Sequence, residues 1–271
     1  MNHDLLNFNH IRLINNSNPH TSSIIESFAV DDTLCLSVSE TGETAMRFWV
    51  HQPTVVLGIP DSRLPHLSQG VQYLKQQGYD VIIRNSGGLA VTLDEGILNI
   101  SLIFPDAKSF DIHDGYEAMV KLIQWLFEDE GQTIEAYEIE QSYCPGTYDL
   151  SIDGKKFAGI SQRRVKSGSA VQIYLCVEGD GEKRAQLLQH FYQLSLKGET
   201  TKFKYPHIDP TVMASLEQLL GKKITIKQVM EKLINKFKDY GVHVLTHDLN
   251  EREHVWLQSR LQLMNKRNEH L

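Results

Sequence analysis

The stretch RNSGGLAVTLDEGILNISL, from Arg84 to Leu102, places a glycine pair between strand-like runs. Upstream of it, Asp80 to Arg84 reads as a β-branched strand that Gly87 and Gly88 break. Downstream, Ala90 to Leu93 and Ile97 to Phe104 resume strand character. Two adjacent glycines let backbone approach a ligand closely and leave amide N–H groups unshielded by Cβ atoms. Arg84 and Asn85 make this loop rich in donors, which suits an anion or a carbonyl oxygen. On its own the pair fits a tight turn equally well.

Working outward, the same strand and turn grammar continues. Tyr148 to Ile152, the Asp153–Gly154 pair and Lys156 to Gln162 form the strongest hairpin signal, because Asp-Gly suits a turn in which both central residues need positive φ. Ala170 to Val177 extends the meander. Short strands are expected at Ile11 to Ile14, Leu34 to Val38, Arg47 to His51 and Thr54 to Gly58. Tyr116, Met119, Val120, Ile123 and Phe127 recur at helical spacing, so Gly115 to Glu130 is an amphipathic helix. Further helices are expected from Thr21, and over His66 to Gly78, Arg184 to Leu194, Pro210 to Leu220, Ile226 to Phe237 and Glu251 to Met264.

Strands and helices do not alternate regularly, so a doubly wound sheet is disfavoured. The expected fold is α+β: a mixed, largely antiparallel sheet flanked by helices. No linker or repeat interrupts the chain. Residues 1–271 read as one domain with a polar, loosely attached N-terminal arm and a C-terminal helix as embellishments.

Composition narrows the function. Hydrophobic residues at 41% and charged residues at 23% describe a folding chain, and a net charge of −7 disfavours a general nucleic-acid binder. No apolar run approaches the ~20 residues that span a bilayer. No membrane role is expected, and the cytoplasm is the expected location. There is no P-loop, serine elbow or third glycine after Gly179-Asp180-Gly181. His243 and His247 lack the glutamate of a zinc-protease helix and alternate like a strand, so no metal site is expected.

The Arg84 to Leu102 string resembles RRxSGGGAVxxDxGNLNxS, the signature of the lipoate–protein ligase and lipoyl/octanoyltransferase family. It departs from it at Ile83, where the family has arginine, and at Leu89, where it has a third glycine. The second family block is similar to Asp153 to Gln162, with its Lys-x-x-Gly pattern at Lys156 and Gly159. The resemblance covers roughly residues 30–250. It implies a catalytic domain shared with biotin–protein ligases and like class II synthetases, with an acyl site beside the glycine loop. By position, Arg84, Asn85, Ser86, Gly87, Gly88, Ala158 and Gly159 would bind substrate.

Three cysteines are too few for a disulfide scaffold or zinc knuckle. Cys35 and Cys176 sit in apolar runs expected to be strands, whereas Cys144 lies in the loop Ser142-Tyr143-Cys144-Pro145-Gly146. A ligase that activates its acid as an adenylate needs no nucleophilic cysteine; a transferase must hold the acyl group itself. The segment from Ser142 to Arg164 resembles the branch that moves octanoyl from the lipoyl-lysine of glycine cleavage H protein to the lipoyl domains of 2-oxoacid dehydrogenase E2 subunits. The losses at Ile83 and Leu89 fit a site no longer shaped for a nucleotide, and no cofactor is implied. Carried over by position, Cys144 is the acyl-thioester nucleophile and Lys156 lowers its pKa and acts as acid or base. Hairpin pairing around Asp153–Gly154 would bring the two toward one end of a cleft. Lys155, Lys156, Arg163, Arg164 and Lys166 form a basic cluster suited to steering acidic carriers. An ATP-dependent lipoate–protein ligase and a non-catalytic carrier-binding protein are the rival readings.

Overall fold

The computed structural model describes residues 3–20 and 23–271. Its strands are β1 (His10–Asn16), β2 (Ala45–Trp49), β3 (Thr54–Leu57), β4 (Asp80–Ile83), β5 (Val91–Leu93), β6 (Ile97–Phe104), β7 (Glu135–Ala136), β8 (Leu150–Ile152), β9 (Lys155–Val165), β10 (Gly168–Cys176) and β11 (His243–Thr246). Its helices are α1 (Ile24–Thr41), α2 (Leu67–Gln76), α3 (Ile112–Leu126), α4 (Gly181–Leu196), α5 (Leu216–Leu220), α6 (Ile226–Asp239) and α7 (Glu251–Asn268).

Eight strands form one sheet in the order β11-β1-β2-β6-β10-β9-β8-β7, parallel at the β11-β1-β2 end and antiparallel beyond. The central strands β6 and β10 are buried along their whole length, and they read as nearly continuous apolar runs because helices cover both faces. Gln172 of β10 reaches Asp31 of α1, while its neighbour Val171 lies against Gly115 of α3. Successive strand residues point to opposite faces, so α1 and α3 sandwich the sheet between them. A second sheet, β4-β3-β5, carries the Arg84 to Ala90 loop between its outer strands.

The Asp153–Gly154 turn has φ of +49° and +74°, as the hairpin reading requires, and joins β8 to β9. Other expectations are corrected. Leu34 to Val38 is not a strand but the middle of α1, so Cys35 is helical; Cys176 does end a strand. The residues from Ser27 to Val38 are buried without interruption, which erases the amphipathic period and leaves an apolar run that mimics a buried strand. Ser23 caps α1 through its hydroxyl and Glu26 N, whereas the helix start expected at Thr21 lies outside the described residues. The N-terminal arm is not loose: β1 is inserted between β11 and β2, and Arg12 pairs with the buried Glu253 of α7 at 2.5 Å. Pro210 to Leu220 divides into a 3-10 turn at Pro210–Val212 and the short α5. Among the described residues no helix is long and apolar enough to cross a membrane.

Candidate active site

Cys144, in the loop that precedes β8, has an unusual backbone conformation. Its φ of +47° lies in the left-handed region, which costs a non-glycine residue on the order of 1 kcal/mol or more and needs external support. Lys156 supplies that support. From the start of β9 its fully buried ammonium donates to the carbonyl oxygens of Tyr143 (3.0 Å) and Cys144 (2.9 Å) and to Ser142 Oγ (3.1 Å), and it pairs with Asp149 at 2.9 Å. The Asp149 carboxylate in turn accepts from the N–H groups of Gly146 and Ile139 at 3.1 and 3.3 Å. Burial pushes the Asp149 carboxyl above the usual carboxylate range, and Lys156 pulls against that shift. The ion pair therefore ties both sides of the Cys144 loop to the hairpin.

The thiol faces the glycine loop. Leu89 N lies 3.1 Å from Cys144 Sγ and Arg84 Nη2 lies 3.5 Å from it; the same Nη2 also donates to Leu89 O at 2.8 Å. Gly88, with φ of +98°, has to be glycine. A Cβ there would stand 2.4 Å from Arg84 Nη2 and 2.9 Å from Cys144 Sγ, in the space between the guanidinium and the thiol.

Beside the thiol is a cavity of about 200 Å³ whose apolar wall includes Phe28, Trp49, Val91, Leu93, Ile160 and Ile173. Trp49, Asn99, Tyr174 and Gly159 pair in one row across β2, β6, β10 and β9, and all four line the cavity. A buried polar network backs this row. Trp49 Nε1 donates to Ser101 Oγ, which donates to Asp31 Oδ2; Gln172 Nε2 joins it at 2.6 Å, and Arg47 pairs with Asp31 Oδ1 at 3.0 Å. The apolar wall is thus held by groups whose polar atoms are already satisfied.

Of the residues expected from the sequence, Arg84, Gly87, Gly88, Cys144 and Gly159 meet at this cavity. Asn85 and Ser86 are buried beside it, each with an oxygen that has no partner; Ala158 is buried within the sheet, and Lys156 lies behind the loop. Lys156 reaches Cys144 through its carbonyl oxygen. The basic cluster is divided by strand alternation. Lys156 is spent on Asp149, Arg163 on Asp32, Lys155 on Glu182, and Arg164 on the carbonyls of Ala107 and Phe110. Sequence reasoning missed the apolar residues that line the cavity, Tyr116 and the Leu89 amide. The first lie on elements far apart in the chain, and the last is a main-chain group with no residue-type signal. Cys35 and Cys176 are fully buried, and burial raises both thiols. Among the described residues no group of three His, Cys, Asp or Glu could hold a metal ion.

Residues 23–238 match the family model of the lipoyl protein ligase A/B catalytic domain. The octanoyl-GcvH:protein N-octanoyltransferase of Oceanobacillus iheyensis is 52% identical over 252 residues, 93% of this chain and 90% of its own length. The protein of the same name from Exiguobacterium sibiricum is 50% identical over 267 residues, 98% of this chain and 97% of its own. Among solved structures, the bipartite lipoate protein ligase of Thermoplasma acidophilum is similar with a TM-score of 0.68 at 20% identity, over 93% of this chain and 91% of that one. At that identity the likeness speaks for the shared mixed-sheet fold alone.

Proposed function

The chain belongs to the lipoyl protein ligase A/B catalytic-domain family, and from that premise we propose that it is an octanoyl amidotransferase. It takes the acyl group from the lipoyl-lysine of glycine cleavage H protein and delivers it to lysines on E2 lipoyl domains through a thioester on Cys144. The observation that carries this reading is the thiol itself. It lines a cavity with an apolar wall, with a main-chain N–H and a guanidinium aimed at its sulfur. The curated relatives bear the matching activity in their names.

The chemistry balances without an added co-reactant. The Cys144 thiolate attacks the carbonyl carbon of the octanoyl-lysine amide, forming a C–S bond. The C–N bond of the tetrahedral intermediate then breaks, and the departing amine takes up the proton that the thiol gave up. The acceptor lysine attacks the thioester in the same sense and releases the sulfur. Exchange between two similar amides is close to thermoneutral, and the covalent intermediate divides one difficult step into two. Leu89 N–H and the Arg84 guanidinium are placed to stabilise developing negative charge, where one oxyanion donor contributes typically ~3 kcal/mol. Lys156 holds the Cys144 loop in its strained conformation and keeps a positive charge beside it. Burial of six methylenes at ~0.8 kcal/mol each gives about 5 kcal/mol, enough to retain an eight-carbon chain over a much shorter one.

The test is intact mass spectrometry of the protein mixed with octanoylated H protein, with and without hydroxylamine. Wild type should gain one octanoyl adduct that hydroxylamine removes, and Cys144→Ala should gain none. Transfer to a lipoyl domain by Cys144→Ala, or transfer that requires ATP and free acid, would overturn the thioester route.

A further inference from the structure

Asp61, outside every motif that marks the site, is completely buried in the 3-10 turn after β3. Its carboxylate accepts from Gly58 N at 2.7 Å and from the hydroxyl of Tyr192, on α4, at 2.9 Å. That hydroxyl accepts from Ala90 N at 3.2 Å. Ala90 follows Leu89, whose N–H meets Cys144 Sγ and whose carbonyl is held by Arg84. Gly58 abuts the same loop so closely that a Cβ on it would fall 1.9 Å from Gly88 O. The peptide that follows this N–H, Leu89–Ala90, is therefore fixed at its carbonyl by Arg84 and at its N–H by the relay through Tyr192 to Asp61, which holds Leu89 from its C-terminal side while its own N–H meets the thiol.

We propose that Asp61 is a positioning residue for acyl transfer, holding the Leu89 amide on Cys144 through the Tyr192 hydroxyl. A deprotonated carboxylate is what the relay needs, because Tyr192 donates to Asp61 while accepting from Ala90, and both carboxylate oxygens serve as acceptors. The step is sensitive to this because a displacement of the order of 1 Å at a reacting group can cost ~100-fold in rate.

The inference rests on the thioester reading of Cys144, and two readouts separate their failures. The first is the rate constant and KM for acyl-enzyme formation from octanoylated H protein. The second is the alkylation rate of Cys144 by iodoacetamide, which needs no acyl donor and reports on this thiol because the other two are fully buried. Tyr192→Phe, which breaks the relay by one oxygen, and Asp61→Asn, which leaves one of the two donors without an acceptor, are expected to lower the acylation rate constant about 100-fold. KM should stay within about threefold, since donor binding is untouched. Alkylation should slow about tenfold as the thiolate loses its N–H partner. A residue that only stabilised the fold would leave both rates unchanged well below the unfolding midpoint. Folded variants that alkylate and acylate like wild type overturn the proposal, and Tyr192→Phe decides alone if Asp61→Asn does not fold. Absence of any acyl adduct on wild type would refute the thioester reading, while the alkylation comparison would still judge the relay.

Discussion

The backbone N–H of Leu89 stands 3.1 Å from Cys144 Sγ, and Gly88 is the residue that makes room for this contact. Gly88→Ala places a methyl against both Arg84 Nη2 and the sulfur and strains a backbone at φ +98°. The loop must shift, the N–H and guanidinium leave the thiol, and acyl-enzyme formation should fall by about 100-fold. Because Gly88 is exposed on its other side, folding should survive, as circular dichroism and unfolding midpoints would show. Acylation within a factor of a few of wild type would mean the contact does not matter to the reaction.

Lys156 and Asp149 form a pair with 0% and 2% side-chain exposure. Lys156→Met strands the Asp149 carboxyl and leaves the carbonyls of Tyr143 and Cys144 without their donor. Breaking one partner of a buried pair costs ~3–5 kcal/mol. The same change should release Cys144 from its left-handed conformation and abolish acylation. Urea unfolding reads the first effect and intact mass the second. In Lys156→Met with Asp149→Leu, stability should return only in part and acylation should not, because the second change removes the buried charge but leaves the Gly146 and Ile139 N–H groups without their acceptor and the loop unrestored.

The boundary between what the residues announce and what they conceal runs through this site. The glycine loop, the Asp153–Gly154 turn and the loop position of Cys144 are local features, and each is found where the sequence places it. The apolar wall of the cavity is not local: Phe28, Trp49, Val91 and Ile173 come from four elements, and only the pairing of Trp49 with Asn99 and of Asn99 with Tyr174 makes them neighbours. The second half of α1 is illegible for the opposite reason, being so thoroughly buried that Leu34, Cys35 and Leu36 carry no polar face to mark a period. Strand β1 is legible at Ile11 to Ile14, but its place inside the sheet is not, because its parallel partner β11 lies more than two hundred residues away.

The Arg47–Asp31 pair behind Trp49 is as deeply buried, at 0% and 1% side-chain exposure. Asp31→Ala leaves the guanidinium without its carboxylate and removes the acceptor shared by Ser101 and Gln172. The expected loss is again ~3–5 kcal/mol. For a chain of this size that lowers the thermal midpoint on the order of 10 °C. Differential scanning calorimetry checks it, and an unchanged midpoint would show that the network relaxes around the gap.

Two buried groups give the stability of this protein opposing pH dependences. Burial and the neighbouring Arg47 push His51 down to about 4, so between that value and its ordinary ~6.5 the unfolded chain binds a proton that the folded chain refuses. Its contribution is full above ~6.5 and is lost as pH falls, by ~3 kcal/mol in total. Burial pushes Asp61 up to about 6, so between ~3.9 and that value the folded chain keeps a proton that the unfolded chain has released. Its contribution is full below ~3.9 and is lost as pH rises through about 6, again by ~3 kcal/mol. Over the shared window the two slopes nearly cancel. Asp61→Asn removes one of them, so the stability of wild type relative to this variant should grow by ~2 kcal/mol as pH drops from 7 to 4.5. All other titrating groups are common to both proteins and drop out of the difference. Urea titrations at the two pH values measure it; a difference that stays constant, or shrinks on acidification, would show that Asp61 is not held protonated by its burial.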